Sequence, residues 1–318
     1  MKIALAPMEG LIDVHLRDFI TAYGGFDHCV TEFLRVVDLP LPDRVFYKVC
    51  PEALNGWKTP YGTPVHLQLL GSNPTSMAIN AATAARLGAP VIDLNFGCPA
   101  KTVNKNEGGA ILLRCPEKVF NIISAVRNAV PQNIPVTAKM RLGYEDKSLA
   151  IENALTMQAA GAARITVHAR TKLEGYKPPA HWEWIAKIRE AVKIPVTANG
   201  EIWTLDDAKR CQEISGCSDI MIGRGAIVRP GIARQVKQQI ESDFNWPHML
   251  RDIIILFERT RDEGKANYAP DRVKQWLGLL SQHHMQASIC FEEIKRIKDK
   301  NSIFDILMQH LAQTADAQ

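Results

Sequence analysis

The sequence is informative first for what it lacks. No apolar run approaches the roughly 20 residues that a bilayer-spanning helix needs, so no membrane span is expected. The start, M-K-I-A-L-A-P-M-E-G, is apolar for only a few residues before Pro7 and Glu9. That is not the pattern of a secretory leader, and a cytoplasmic protein is expected. Seven cysteines stand at 29, 50, 98, 115, 211, 217 and 290, and none forms a C-x-x-C pair. Neither a disulfide framework nor a zinc site is therefore expected, and no metal is assigned. Neither sign of charge dominates, with 38 Lys and Arg against 34 Asp and Glu for a net +4, and the pI is near 8.6. Such a mild excess permits a polyanionic partner without requiring one. The G-x-G-x-x-G that usually follows the first strand of a doubly wound dinucleotide fold is also missing.

What is present is a repeating pattern. Short runs rich in β-branched residues begin at Ile3, Cys29, Val65, Val91, Val136, Arg164, Val196 and Asp219. Apolar runs of this kind read as buried parallel strands. Helix signals lie between them: Asn73 before the Ala-rich stretch 76–86 closed by Gly88, Pro116 opening another segment, and Thr204 with Asp207 spaced as a capping box. Eight β-α units over about 225 residues predict a (β/α)8 TIM barrel, a domain of about 250 residues. From about residue 243 the strand pattern stops, and helices are expected over 246–263, 270–283, 286–297 and 301–314. The reading is a catalytic barrel over 1–242 and a C-terminal all-helical domain over 243–318. The helical part is not a basic tail, because residues 251–318 hold ten Lys and Arg and ten Asp and Glu.

A barrel builds its site at the C-terminal ends of its strands. This chain places there Pro7-Met8-Glu9, Gln68, Asn95 with Cys98, Lys139 with Arg141, His168 with Arg170, Asn199-Gly200-Glu201 and Gly223-Arg224. Singly, each has an ordinary explanation: Gln68 a polar strand end, His168 a packed histidine, Cys98 a small buried hydrophobe. Lys139 is harder to explain that way, since burying an unpaired ammonium costs several kcal/mol. The glycines of N-G-E and G-R-G let backbone N–H groups approach an anion, and Arg224 adds a charged fork. With Lys139 and Gln68, this points to a phosphorylated planar cofactor. A lysine beside the N1–C2=O edge of a flavin would stabilise its reduced anion.

The stretches A-P-M-E-G-L-I-D, Q-L-L-G, D-L-N-F-G-C-P-A-K-T-V, G-G-A-I-L-L, K-M-R-L-G, H-A-R-T-K-L-E-G-Y, N-G-E-I and M-I-G-R-G-A resemble the tRNA-dihydrouridine synthases over essentially the whole chain. Residues 31–38 (T-E-F-L-R-V-V-D) and 272–277 (R-V-K-Q-W-L), with Glu9 and Thr102, look most like the C-type branch. The resemblance implies an FMN enzyme that takes electrons from NADPH and reduces uridine 16 of the tRNA D-loop to dihydrouridine. By the same resemblance Cys98 is the proton donor, and a thiol of pKa near 8.5 is protonated and able to donate at neutral pH. Asn95 would orient the uracil edge. Lys139 and His168 would face the flavin, lined by Pro7, Met8, Glu9 and Gln68, while Asn199, Gly200, Glu201, Gly223 and Arg224 would hold ribityl and phosphate. Arg35, Arg141, Tyr176, Arg272, Lys274 and Lys295 are the tRNA-contact candidates, and Trp276 is read as helical core. A monomer is the default expectation. The competing readings are another FMN barrel acting on a small dihydroorotate- or enone-type substrate, and a tRNA-binding module without chemistry.

Overall fold

The computed structural model describes residues 1–315. Nine parallel strands form one sheet: β1 (Ile3–Leu5), β2 (His28–Val30), β3 (Leu34–Arg35), β4 (Val65–Leu70), β5 (Ile92–Phe96), β6 (Val136–Arg141), β7 (Arg164–His168), β8 (Val196–Asn199) and β9 (Asp219–Ile222). The order β2-β1-β9-β8-β7-β6-β5-β4 is closed by a direct β2–β4 pairing, so eight strands make a barrel with helices between successive strands. β4 and β7 are buried along nearly their whole length, as parallel strands covered on both faces must be.

The expected strand run from Cys29 is divided. After β2 the chain leaves β4, with Thr31 N–H bonded to the His66 carbonyl at 3.0 Å, and rejoins it where Val36 N–H meets the Leu70 carbonyl at 2.7 Å. The short β3 lies in the rejoined part, and the bend between carries Phe33 to the cavity described below.

Local signals account for the helices around the barrel. Asn73 accepts from Ser76 N–H and caps Pro74–Arg86, and Pro116 opens Pro116–Ala129. Thr204 and Asp207 form a complete capping box before Leu205–Ser215. The helix Pro116–Ala129 buries Val119, Ile122, Ile123 and Val126, the i, i+3, i+4, i+7 stripe of an amphipathic helix. Each such side chain contributes about 1.5–3 kcal/mol when fully buried.

Contacts divide the chain into two compact units: residues 1–226 with 231–240, and residues 227–230 with the rest from 241. The second unit holds the helices Trp246–Thr260, Ala269–Leu280, Met285–Ile294 and Lys300–Ala315, with a π-helical turn over Arg261–Lys265. Its core includes Ile253, Phe257, Val273, Leu277 and Trp276. The Trp276 ring is fully buried, with its indole N–H donating to the Ile227 carbonyl at 3.1 Å. Among the described residues no helix is long and apolar enough to cross a membrane.

Candidate active site

The C-terminal strand ends of the barrel surround a cavity of about 540 Å³, within the usual range of a small-molecule site. Strand register puts its polar residues side by side: Asn95 opposite Lys139, Arg141 opposite His168, and His168 opposite Asn199. Pro7, Met8, Glu9, Gln68, Asn95, Cys98, Lys139, Arg141, His168, Tyr176, Asn199, Gly200, Glu201, Gly223 and Arg224 all line this one cavity. Each was picked from sequence on the strength of its strand end or motif. Five other candidates do not line it, and of these Arg170 is fully buried and donates to Glu201. Arg35 is exposed on β3. Arg272, Lys274 and Lys295 belong to the helical unit. There Arg272 is buried against Gln275, Lys274 donates to the Ile297 carbonyl and Lys295 pairs with Glu292.

Cys98 sits on the turn after β5, 8% exposed, at the cavity wall. The Asn95 side-chain oxygen accepts from the N–H groups of Gly97 and Cys98, both at 2.9 Å. Arg141 Nε donates to the Gly97 carbonyl at 2.8 Å. Burial pushes the thiol above its ordinary pKa and Glu9 adds to the rise, against the pull of the Ala100 N–H and of Arg141 and Arg35. The sulfur therefore holds its proton at neutral pH.

A hydrogen-bonded chain runs from that turn across three strands. Asn95 Nδ2 donates to Gln68 Oε1 at 2.7 Å, Gln68 Nε2 donates to Asp93 Oδ2 at 2.7 Å, and Thr137 donates to Asp93 Oδ1 at 2.6 Å. Burial raises the Asp93 pKa, opposed by those two bonds and by Lys139. Burial together with Arg141 brings the Lys139 ammonium down to about 8, against Asp93 and Cys98. The cationic groups around His168 reinforce its burial and hold it well below its usual pKa, so the imidazole is neutral.

The other side of the cavity is built by the turns after β8 and β9. Asn199 Nδ2 ties them by donating to the Met221 carbonyl at 2.8 Å. Glu201 adopts a left-handed φ of 57°, a conformation that other contacts must sustain. Arg170 and the Trp203 indole, at 2.9 Å, both donate to its carboxylate. Burial works to raise its pKa, yet those donors outweigh it and keep Glu201 ionised. Position 225 must be glycine, because a Cβ there would lie 2.0 Å from the Ile202 carbonyl oxygen. Arg224 stands between the rings of Tyr176 and Trp203, 4.9 and 5.0 Å from their centroids.

A planar group bearing an anion fits this lining. The buried His168 Nδ1 has no hydrogen-bond partner within the protein, and buried polar atoms are rarely left so. Lys139 offers positive charge on one side, and Arg224 with the close glycine turns offers an anion cradle on the other. Among the described residues no group of three or more His, Cys, Asp or Glu could hold a metal ion.

Sequence reasoning missed Phe33 and Trp203 in the lining, and Asp93 and Asn104 behind it. Trp203 follows N-G-E-I directly, so its place in a site loop was a usable signal. The role of Asp93 depends on bonds to distant segments, and that of Asn104 on the shape of a nearby turn, neither of which spacing encodes.

The family model described as dihydrouridine synthase matches residues 4–272. A curated relative, the tRNA-dihydrouridine(16) synthase of Aquipseudomonas alcaligenes, is 52% identical over 96% of this chain and 99% of its own length. Its namesake in Pseudomonas syringae pv. tomato is 53% identical over 96% and 98%. The one in Shewanella oneidensis is 49% identical over 98% and 100%. Among solved structures, a 2-naphthoyl-CoA reductase complexed with 2-naphthoyl-CoA aligns with a TM-score of 0.59 at 12% identity, covering 75% of this chain; the chain spans half of that protein's length. Morphinone reductase in complex with tetrahydroNAD aligns with a TM-score of 0.51 at 11% identity, covering 76% of this chain and 88% of that one. At such identities these two likenesses concern the fold alone.

Proposed function

The chain belongs to the dihydrouridine synthase family, and from that premise we propose that it reduces uridine to 5,6-dihydrouridine at position 16 of the tRNA D-loop. FMN is the bound cofactor and NADPH the reductant, with the protein acting as a cytoplasmic monomer. The observation that carries this reading is the meeting of Cys98, Asn95, Lys139 and His168 on the wall of one cavity.

Saturating the 5,6 double bond of uracil requires a hydride at C6 and a proton at C5. Bound in the cavity, reduced flavin would supply the hydride. Cys98 gives its S–H proton to C5 and is left as a thiolate, which regains a proton from solvent before the next turnover. Its raised pKa keeps the thiol loaded beforehand, and placement of the acid against the base does the rest. Lys139 sets positive charge against the flavin ring and favours its reduced anion. The neutral His168 would face the flavin from the cavity wall. Pro7, Met8, Glu9 and Gln68 line the cofactor's surroundings, while Asn199, Gly200, Glu201, Gly223 and Arg224 hold ribityl and phosphate. The second N–H of the Asn95 amide, not used in its bond to Gln68, is available to a uracil oxygen.

A base within folded tRNA reaches such a pocket only when turned out of its stack. Phosphate contacts elsewhere would fix the register. The barrel residues Arg35, Arg141 and Tyr176 are proposed to meet the tRNA, together with the helical unit through Lys274 and Lys295. Arg272 is buried, so no direct contact with the tRNA is assigned to it.

The test is to incubate the purified chain with NADPH and unmodified tRNA transcript and to map dihydrouridine along the product. Flavin that co-purifies and modification confined to position 16 are expected. A protein that does not take up FMN refutes the cofactor assignment, and modification at another position refutes the target assignment.

A further inference from the structure

The turn that carries Cys98 is gripped from two sides, and only one grip faces the cavity. On the cavity side Asn95 holds the N–H of Cys98, as described above. On the far side is Asn104, in the short helix Lys101–Lys105 and 8% exposed. Its Nδ2 donates to the carbonyls of Cys98 at 2.9 Å and Ala100 at 2.7 Å, and its Oδ1 accepts from Ile111 N–H at 2.9 Å. Ala110 N–H adds a second bond to the Cys98 carbonyl at 3.1 Å. The orientation of the amide is forced, because the two carbonyls can only accept and the Ile111 N–H can only donate. Neither Asn104 nor Ile111 lines the cavity.

We infer that Asn104 is a positioning residue for Cys98, fixing the backbone from which the thiol projects without touching substrate or cofactor. The inference rests on the proton-donor reading given above. The peptide groups on both sides of Cys98 are tied: its N–H to Asn95, its carbonyl to Asn104 and Ala110. Rotation of either would swing Sγ along the cavity wall. The Asn104 amide spends both its N–H groups and its oxygen on the segment 98–111, the thiol's own support. Removing it leaves Ala110 N–H as the remaining hold on the Cys98 carbonyl and loosens the turn, while changing no residue that lines the cavity.

The experiment compares Asn104→Ala and Asn104→Asp with wild type as flavin-loaded proteins. The Asp variant keeps the size and the acceptor for Ile111 but, once ionised, cannot donate to the two carbonyls. Measured are kcat, KM for tRNA, flavin content, and the rate at which iodoacetamide alkylates Cys98, followed by peptide mass mapping. A misplacement of about 1 Å can cost about 100-fold in rate, so kcat should fall roughly 10- to 100-fold while KM and flavin content stay within about twofold. Alkylation of Cys98 should speed up as the turn loosens. A folded variant with wild-type kcat and wild-type alkylation overturns the inference, as does a change confined to KM. If neither variant folds, hydrogen exchange in the wild-type protein decides. Protected amides at Ala110 and Ile111 support the grip, and exchange at the rate of an unstructured chain overturns it. An active Cys98→Ala variant defeats the donor reading itself. An inactive one beside unaffected Asn104 variants defeats only this inference.

Discussion

Lys139 should make the protein less stable than it could be. Its side chain lies on β6 opposite Asn95 and lines the cavity. Burial, with Arg141, lowers its ammonium from 10.5 to about 8. At about 1.36 kcal/mol per unit, holding the charge there at pH 7 costs the folded state about 3 kcal/mol. Lys139→Met removes the charge at similar volume. Part of the gain is returned, because Asp93 loses an attraction that lowers its pKa. The net stabilisation at pH 7 should therefore be about 1–3 kcal/mol. The sign in pH follows from linkage. A lysine with a depressed folded pKa contributes its stability above the unfolded value of 10.5 and loses it as pH falls through about 8. The advantage of the variant should thus be largest at neutral pH and shrink as pH rises from 8 towards 10.5. Urea denaturation of the flavin-stripped proteins across that range reads it directly, and the variant should also retain flavin less well. A variant no more stable than wild type at pH 7, or an advantage unchanged at high pH, would refute the reasoning.

Other perturbations probe the same architecture. The Glu9 carboxyl is raised to about 7 by burial and by Glu32, against the Phe33 N–H, so it is ionised when the thiol titrates. Glu9→Gln should move the pH midpoint of Cys98 alkylation downward, and an unmoved midpoint would remove Glu9 from the thiol's surroundings. Gly109 has φ +69°, and an added Cβ would lie 2.8 Å from the Cys98 carbonyl oxygen and 2.9 Å from its Cβ. Gly109→Ala should cost on the order of 1–3 kcal/mol and depress turnover, measured by denaturation and by product formation; wild-type values in both would contradict the close approach. Arg17→Met leaves Glu52 buried without its bidentate partner, and denaturation should show a loss of about 3–5 kcal/mol. A loss below 1 kcal/mol would show that Glu52 finds another partner.

The barrel was legible because parallel strands covered on both faces read as short continuous apolar runs. The run from Cys29 misled only where its path bends at Thr31–Phe33, a detour set by contacts with β4. Cavity residues were legible for a topological reason: a barrel gathers its strand ends, so Gln68, Lys139, His168 and Arg224 meet although more than 150 residues separate the first from the last. Trp276, read as core, is fully buried. Arg272 was chosen for its position in the C-type pattern, but it precedes Val273 and Trp276 on a helix and is buried with them. Composition could not reveal that. Asn104 looked like an ordinary polar residue in T-V-N-K. Its significance lies in three bonds to residues four to seven positions away, two of them to backbone carbonyls in a turn whose shape the sequence does not state.

The most direct test of the account is dihydrouridine formation by Cys98→Ala, assayed with FMN bound, NADPH supplied and unmodified tRNA as substrate. General acid catalysis is worth roughly 10²- to 10⁴-fold, so the variant should bind flavin and tRNA as wild type does and form product slower by about that factor. Product formed at the wild-type rate would mean that the proton reaches C5 from another group, and that the thiol on the cavity wall is packing alone.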